Sequence, residues 1–436
     1  MTIMAGAARV EIVPPVPTPL GGYPPVRLFA GGPGDHRGYV GRTGPSDGVA
    51  LPIYARAVAL KNNKQPVLLI GLEVCIVSLP FAGAAKDAIA ARTGVPTDRI
   101  VITASHSHSA PDYLGYWEEC DPSVESFMLD RIVDAAEQAV AQLEPARVGL
   151  VEGSLAAPIV NRRDPSRPVD PAVTVLAIDK PNQDPIAAVF IYACHPVLIG
   201  AMNRKVSGDF PGYASRTVED VLGEGFVGLF LNGAAGNINP FAYPYSERQN
   251  MTVLSREYNL AGKPVTFRSH RDARRLGIAL AGEVLKAVEV AEPSAQAEVN
   301  AWRETVPIEL KEGRALEEYF EHLCVEPASQ KRWRQPARTE VMAVKLGDLV
   351  VLAMPGEPFV EIGLDLQNTK PASRTRVRAI GYANDYPGYV LRPEDYKENR
   401  YETTATPLTV DGAKAIVDSA RRLRDLAIGE LKLSSK

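Results

Sequence analysis

Three of the six histidines in this 436-residue sequence follow apolar, β-branched runs of the kind that form buried strands. His106 and His108 come directly after residues 101–104, and His195 ends the run from residue 189. The other three histidines lie in polar surroundings. Because imidazole nitrogen is a preferred zinc ligand, the three strand-end histidines are candidates for a metal site.

A carboxylate and tyrosines stand at the ends of two further apolar runs. Residues 349–354 lead into a Pro-Gly turn and Glu357, and residues 378–383 lead to Tyr386 and Tyr389. In open α/β sheets, ligands bind beyond the carboxyl ends of the strands, so we expect these side chains and the histidines to converge on one site. Zinc held by His and Glu lowers the pKa of a water ligand toward ~7, which favours hydrolysis.

The spacing of His106 and His108 leaves two arrangements open. Residues two apart in an extended strand face the same side, so both imidazoles can point into one cleft. Both can bind the metal, or one can bind it while the other assists the reaction. The non-catalytic alternative is that strand-end histidines only satisfy hydrogen bonds.

The pattern of the remaining sequence predicts an α/β fold, with mixed β-sheets flanked by helices. Residues 1–50 are rich in Pro and Gly and predict an extended arm with loops, and residues 240–272 and 325–338 predict long loops. Buried strands are predicted at residues 67–74, 99–103, 173–178, 188–193, 225–231 and 349–354, and helices near residues 129–143, 210–221, 272–289 and 411–431. No clean break in composition occurs, so we expect one large domain over residues 1–436, built from two packed sheets.

Several classes of protein are disfavoured by composition. The net charge of -4, without a basic stripe, argues against nucleic-acid binding. No apolar window of about 18 residues predicts a membrane span, and no signal peptide is visible at the N-terminus, so we expect a cytoplasmic protein. The four cysteines are scattered, which predicts small buried hydrophobes and neither disulfides nor a thiolate zinc site: Cys75, Cys120, Cys194 and Cys324.

One dinucleotide-binding pattern is rejected on its context. Residues 223–228 match GxGxxG, but a helix precedes them and a strand follows, which reverses the order that a dinucleotide site requires. A helix C-terminus followed by a turn explains these glycines better.

At the candidate residues the sequence resembles the neutral, non-lysosomal ceramidases. The Thr-His-Thr-His-Ser-Gly-Pro motif of that family is matched by Ser105 to Pro111. Further family motifs follow in the same order along nearly the whole chain, at residues 161–164, 195–196, 209–214, 355–358, 386–389, 394–396 and 400–402. The resemblance implies the mixed α/β catalytic domain of the family, without the C-terminal immunoglobulin-like domain of its longer members.

The resemblance also implies a role for each matching residue. It implies zinc as the cofactor, with the ligands His106, His195, Glu357 and Tyr389. It implies that His108 lies beside the metal, near the attacking water or the substrate, and that Arg162 and Tyr401 bind the substrate and its developing oxyanion. The alternatives are a surface ion pair of Arg162 with Asp164, and a plain core position for Tyr401.

Two positions depart from the family pattern. The family carries Gly-Asp-Val-Ser-Pro-Asn where this sequence has Gly236-Asn-Ile-Asn239-Pro, so Asn239 replaces the serine. The segment Asn161-Arg162-Arg163 departs after its first arginine. An asparagine cannot act as a nucleophile in place of the serine, but it can orient substrate or water by hydrogen bonds.

These residues together predict a zinc-dependent hydrolase of an amide, with an N-acyl, ceramide-like lipid as substrate. His108, with a pKa near neutrality, is expected to assist proton transfer. Two alternatives remain. The first is a zinc hydrolase of small soluble esters, lactones or N-acyl compounds, and the second is a catalytically silent metal-binding homologue.

Overall fold

The structure is a computed structural model that describes most of the chain. The described residues are 3–23, 42, 44–155, 159–240, 269–323, 325–334, 337–368, 375–398 and 400–431.

Sixteen strands are present in the described residues. In chain order they are β1 (Ile3–Glu11), β2 (Tyr54–Lys61), β3 (Val67–Leu72), β4 (Ile100–Ala104), β5 (Glu144–Ser154), β6 (Ile159–Asn161), β7 (Ala172–Asp179), β8 (Pro185–Tyr192), β9 (Val227–Asn232), β10 (Ile238–Pro240), β11 (Val299–Ile308), β12 (Ala337–Leu346), β13 (Leu349–Ala353), β14 (Glu357–Pro358), β15 (Arg376–Ile380) and β16 (Tyr389–Val390).

Nine α-helices occur in the same residues, several with conventional caps. They are α1 (Leu79–Thr93), α2 (Pro122–Ala141), α3 (Asp209–Leu222), α4 (His270–Val290), α5 (Gly313–Leu323), α6 (Pro327–Gln330), α7 (Val360–Gln367), α8 (Tyr401–Thr404) and α9 (Val410–Ala427), with 3-10 turns at Thr97–Arg99, Lys331–Arg334 and Asp395–Glu398. For example, the Ser78 hydroxyl accepts a bond from the Phe81 N–H at the start of α1, and Gly94 ends this helix in the left-handed conformation.

The larger sheet has eight strands in the order β4-β3-β2-β1-β5-β7-β8-β9. The pairs β3/β4 and β8/β9 are parallel, and the other neighbours are antiparallel. Both parallel pairs lie at the edges of the sheet. The histidine-bearing segments therefore leave β4 at one edge and β8 next to the other edge.

The second sheet has four strands in the order β11-β12-β13-β15 and packs against the first. Met342 and Val351 of this sheet share one apolar core with Leu69, Val189 and Leu229 of the larger sheet. Helices cover the outer faces, since α3 and α4 pack on β7–β9 while α1 and α2 pack on the strands at the other end of the sheet. The fold is therefore the predicted α/β type, with mixed sheets and flanking helices.

Residues 380–384, which begin at the last residue of β15, connect the two edge strands of the larger sheet. The N–H of Gly381 donates to the carbonyl of Asn232 in β9 at 3.0 Å. The N–H of Ala104 in β4 donates to Tyr382 at 3.0 Å, and the N–H of Asn384 donates to Ile102 at 2.7 Å. This bridging segment brings the ends of β4, β8 and β9 and the residues after β15 to one place.

Two short sheets border the same place. Strand β10 pairs with β6 in antiparallel register, with Asn239 opposite Val160. Strand β14 pairs with β16 in parallel register, with Glu357 opposite Tyr389.

The predicted strands and helices are all present, with ends that differ by a few residues. The predicted loop at 325–338 is wrong, because residues 327–334 form α6 and a 3-10 turn, and β12 begins at residue 337. The arm predicted for residues 1–50 contains an inner strand of the larger sheet, β1, and residues 24–41 lie outside the described part. Of the loop predicted at 240–272, residues 241–268 lie outside it as well.

Most of the other local predictions are confirmed. Helix α3 ends at Leu222, Gly223 and Gly225 adopt positive φ angles of 95° and 85°, and β9 follows, so the GxGxxG pattern is a helix end and a turn. Cys75 and Cys194 are buried and free, whereas Cys120 is free but only partly buried, so its predicted burial is wrong; Cys324 is not among the described residues. Within the described chain, none of the helices combines the length and apolar character that a bilayer crossing requires.

A buried ion cluster ties the larger sheet to α3. The Arg56 guanidinium of β2 bonds to both Glu73 and Glu219, with its Nε 2.6 Å from Glu219 Oε1. The three side chains are each at most 6% exposed, and Arg9 also forms an ion pair with Glu219. Removing Arg56 would leave two carboxylates in the interior with too little compensating charge.

The substitution Arg56→Met should destabilise the fold by about 3–5 kcal/mol, the cost of breaking a buried ion pair by removing one partner. Urea unfolding measures this change as a lower midpoint. Arg131→Met is the matched control, because Arg131 and its partner Asp134 are 37% and 32% exposed and such surface pairs contribute about 0–1 kcal/mol. Equal losses in the two variants would contradict the argument.

Candidate metal centre

His106 is held in an uncommon backbone conformation just beyond β4. Its φ angle is +70°, in the left-handed region that non-glycine residues seldom adopt. Its N–H donates to the carbonyl of Val74 at 2.9 Å, and its ring stacks on Tyr382 with 4.2 Å between centroids. Strain of this kind persists only where the surrounding structure compensates for it, and it is common at functional sites.

The imidazoles of His106 and His195 are fixed in the same manner. The Nδ1 of His106 lies 2.8 Å from the carbonyl oxygen of Cys75, and that of His195 lies 2.7 Å from the carbonyl oxygen of Ala235. A carbonyl can only accept, so Nδ1 carries the proton in both rings and Nε2 presents a lone pair. A metal-binding histidine is oriented by this same bond to its second nitrogen.

Glu357 completes the cluster. It follows the Pro355-Gly356 turn, and its N–H donates to the carbonyl of Gly388 at 2.9 Å. Its Oε2 lies 2.9 Å from Nε2 of His195 and 3.5 Å from Nε2 of His106. The possible ligand atoms of these three residues all lie within 4.8 Å of one another, and all three side chains are buried.

The three residues fit a zinc ion. Within the described residues, Nε2 of His195 and Oε2 of Glu357 are buried and have no hydrogen-bond partner. Such orphaned atoms are rare in protein interiors and require an explanation. Zinc–ligand bonds of about 2.0–2.2 Å place neighbouring ligand atoms at separations similar to those in the cluster.

The pKa values of the two imidazoles favour metal binding. Burial lowers the pKa of His106 to about 4, against the opposing effect of Glu357. Burial, followed by the charge of Arg162, lowers the pKa of His195 to about 3. Both rings are therefore neutral at pH 7, as a metal ligand must be.

His108 lies beside this pair. Its Nε2 is 3.2 Å from Nε2 of His106, and its side chain is partly buried. Burial, and then the neighbouring histidines, lower its pKa well below the ordinary value of 6.5. The near-neutral pKa expected from the sequence is therefore wrong, and at pH 7 the resting imidazole is neutral and can act as a proton acceptor.

Arg162 is buried, and its carboxylate partner is not Asp164, the acid that the sequence suggests. Its Nε donates to Glu402 at 2.8 Å, so the surface pair with Asp164 is wrong. Its guanidinium lies over the rings of Tyr389 and Tyr401, at 5.3 and 5.7 Å from the centroids. Its Nη2 is buried and has no hydrogen-bond partner in the part of the chain that the structure describes, which leaves one donor for a ligand.

The two predicted tyrosines differ in exposure. Tyr389 is buried opposite Glu357, and burial, together with the charge of Glu357 and against that of Arg162, raises the pKa of its phenol. Tyr401 is 41% exposed, with its ring 5.9 Å from that of Tyr389. It is therefore not a plain core aromatic and lies where an incoming substrate can contact it.

Asn239 lies at the border of the cluster. The His195 N–H donates to the carbonyl of Ile238, the residue before Asn239, at 2.9 Å. Asn239 is 4% exposed, and its Oδ1 has no hydrogen-bond partner among the described residues. An acceptor is thus available at the position of the family serine.

Sequence reasoning missed the acids and phenols that support these residues. Glu402 divides its carboxylate between Arg162 and Arg163, with both distances 2.8 Å. The sequence predicts no role for Tyr386, yet its hydroxyl donates to Glu357 at 2.6 Å. The positions of these residues in the sequence give a signal. Glu402 directly follows Tyr401, and Tyr386 follows the same apolar run as Tyr389.

Comparison with known proteins shows the family to which the chain belongs. The family model for the N-terminal region of neutral/alkaline non-lysosomal ceramidases matches residues 35–252, half of the chain. The chain therefore belongs to the neutral/alkaline non-lysosomal ceramidase family.

Individual relatives are distant. The chain is 25% identical over 382 residues to a neutral ceramidase of Mycobacterium tuberculosis, covering 70% of this chain and 60% of the relative. It is 28% identical over 163 residues to that of Pseudomonas aeruginosa, covering 33% and 24%. The chain thus spans less than two thirds of the length of these relatives. The crystal structure of the Pseudomonas aeruginosa neutral ceramidase has the same fold, with a TM-score of 0.79 at 18% identity over all of this chain and 76% of that one.

The metal-free protein should lose stability as the pH falls from about 6.5 to about 4. His106 and His195 bind protons less readily when folded than when unfolded, so the unfolded state takes up more protons over this range and is favoured. Urea midpoints determined at several pH values in the presence of a chelator measure the slope of stability against pH. His106→Asn, which tolerates a left-handed backbone and does not titrate, should flatten it; an unchanged slope would refute the assignment.

Glu402→Gln should cost about 3–5 kcal/mol, because Arg162 and Arg163 would lose the one carboxylate that they share. Two-state urea unfolding at neutral pH provides the measurement. Glu394→Gln is the control, since Glu394 is 57% exposed in its pair with Arg392. If both variants were as stable as the wild type, the shared carboxylate would not contribute to the stability of the fold.

Proposed function

We propose that the chain is a zinc-dependent hydrolase that cleaves the amide bond of an N-acyl, ceramide-like lipid. The observation that carries the proposal is the convergence of two imidazole Nε2 atoms and a carboxylate oxygen, of which two atoms have no hydrogen-bond partner among the described residues. Membership of the ceramidase family supports the amide as the bond that is cleaved.

His106, His195, Glu357 and Tyr389 would hold the metal. The first three supply the converging atoms, and the pairing of β14 with β16 sets Tyr389 opposite Glu357. Bound zinc supplies a Lewis acid and lowers the pKa of water, so that a nucleophile is available at neutral pH.

Arg162 and Tyr401 would bind the oxygen of the scissile carbonyl. The unused Nη2 of Arg162 and the half-exposed phenol of Tyr401 are donors on neighbouring side chains. As the amide carbon becomes tetrahedral, its oxygen gains negative charge, and fixed donors stabilise this charge. The bonds to Glu402 hold the guanidinium in place before the substrate arrives.

His108 is the proposed proton carrier. Its neutral imidazole accepts a proton from water as the oxygen of water bonds to the carbonyl carbon. When the carbon–nitrogen bond breaks, the same proton passes to the leaving nitrogen, and the products are a carboxylic acid and an amine. Asn239 would orient the substrate or the water through its free Oδ1.

A second candidate is hydrolysis of small soluble esters, lactones or N-acyl compounds by the same residues. Asn239 at the position of the family serine favours this alternative, because the residue that borders His195 differs from the family pattern. A silent metal-binding homologue is the third possibility; the retained donors Arg162 and Tyr401 weigh against it.

The purified chain should contain about one zinc ion per molecule, and His106→Ala or His195→Ala should lose both the metal and the activity. Elemental analysis measures the zinc, and release of the amine from an N-acyl sphingoid lipid measures the activity. Hydrolysis of a short-chain ester but not of the lipid amide would select the second candidate.

His270→Ala is the matched control. His270 is half-buried and bonds to Asn203, away from the cluster, so this variant should keep its zinc and its activity. Full hydrolysis by a zinc-free preparation of the wild type would overturn the proposed function.

A further inference from the structure

The carboxylate of Glu357 is held asymmetrically. Its Oε1 accepts a bond from the Tyr386 hydroxyl at 2.6 Å. Its Oε2 faces Nε2 of both His106 and His195 and has no hydrogen-bond partner within the described chain. One oxygen is thus tied to a phenol, and the other is left to the two imidazoles.

The Tyr386 side chain has little freedom to move. It is 4% exposed, and its ring lies edge-on to Tyr116 at 6.0 Å and stacked at 6.2 Å from His106. Its N–H donates to the carboxylate of Asp385 at 2.6 Å, and Asp385 also accepts from the Thr339 hydroxyl at 2.7 Å. The hydroxyl therefore cannot follow a rotation of the Glu357 carboxylate without moving packed rings.

The backbone around the two residues is equally fixed. Gly356 and Gly388, with φ angles of +65° and +72°, form two turns that touch each other. The Gly356 N–H donates to Asp385 at 3.0 Å, and the Glu357 N–H donates to Gly388 at 2.9 Å. A side chain at Gly356 would collide with the carbonyl of Gly388, so the close contact of the two turns requires a glycine at this position.

We propose that Tyr386 is a positioning residue that commits Oε1 of Glu357 to a hydrogen bond and so leaves only Oε2 for the metal. This inference rests on the metal site of the proposed function. Its consequence is that Glu357 binds through one oxygen, which keeps a coordination position free for water or substrate.

The protonation of Tyr386 suits this role. A phenol carries its proton at neutral pH, so the Tyr386 hydroxyl is the donor and Oε1 of Glu357 is the acceptor. A hydrogen bond from a neutral phenol to an ionised carboxylate is charge-assisted and stronger than one between neutral groups. Residues that hold metal ligands in this way contribute to affinity without touching the metal.

The test measures zinc affinity in the full chain, by competition with a chromophoric chelator. Tyr386→Phe should weaken zinc binding about 10- to 100-fold, the usual effect of removing a partner of a metal ligand. Tyr396→Phe is the control, because its phenol bonds to the carbonyls of Leu408 and Thr409, away from the histidines. It should bind zinc as the wild type does.

A double variant separates positioning from general loss of structure. In a Glu357→Ala background, Tyr386→Phe should change the zinc affinity less than twofold, because no carboxylate remains to be positioned. An equal loss in both backgrounds, or wild-type affinity in Tyr386→Phe, would overturn the inference and leave the proposed metal site standing. Absence of zinc binding by the wild type would instead overturn the proposed function.

Discussion

The backbone hydrogen bonds that residues 380–384 make to both edges of the eight-stranded sheet are the contacts on which the candidate centre depends. The segment bonds to Ile102 and Ala104 on β4 and to Asn232 on β9. His106 leaves the first of these edges, and the chain turns toward Ala235, which orients His195, after the second. The Asn232 side chain joins the same two ends, because its amide donates to the carbonyls of Ser105 and Cys194, the residues before the two histidines, at 2.9 and 3.1 Å.

Around this bridge, charge is arranged in layers. The inner layer consists of neutral imidazoles against one carboxylate, and burial keeps those rings unprotonated. The next layer contains Arg162, which shares the carboxylate of Glu402 with Arg163. Because an unpaired buried charge is costly, Glu402 holds the guanidinium of Arg162 beside the inner layer, and Nη2 of Arg162 has no hydrogen-bond partner among the described residues.

The strands and the convergence of the candidate metal ligands could be predicted because their signals are local. An apolar run ending in His106 or His195 identifies both a strand and the residue at its end, and the rule for the carboxyl ends of strands then predicts that the ends converge. The same reasoning could not predict that β1 is an inner strand, since a Pro- and Gly-rich beginning suggests an arm. It also failed for residues 327–334, which form short helical turns.

Pairings between distant residues were beyond sequence reasoning. Arg162 and Glu402 are 240 positions apart, and from the sequence alone a nearer acid, Asp164, is an equally good partner for Arg162. The choice between Tyr386 and Tyr389 as the partner of Glu357 likewise depends on turn geometry at Gly356 and Gly388, which the residue types alone do not specify. The pKa of His108 was misjudged because burial and two neighbouring imidazoles are tertiary properties.

The late position of residues 380–384 in the chain has a consequence for biosynthesis. Strands β4 and β9 are complete once residue 232 has been made, but the hydrogen-bonding groups at their outer edges gain these partners only after almost 150 further residues. Unprotected edges of apolar strands are templates for pairing with other chains. A nascent or truncated chain that lacks this segment would therefore be prone to aggregate. The residues that bring the parts of the candidate metal centre together thus also protect the edges of the sheet.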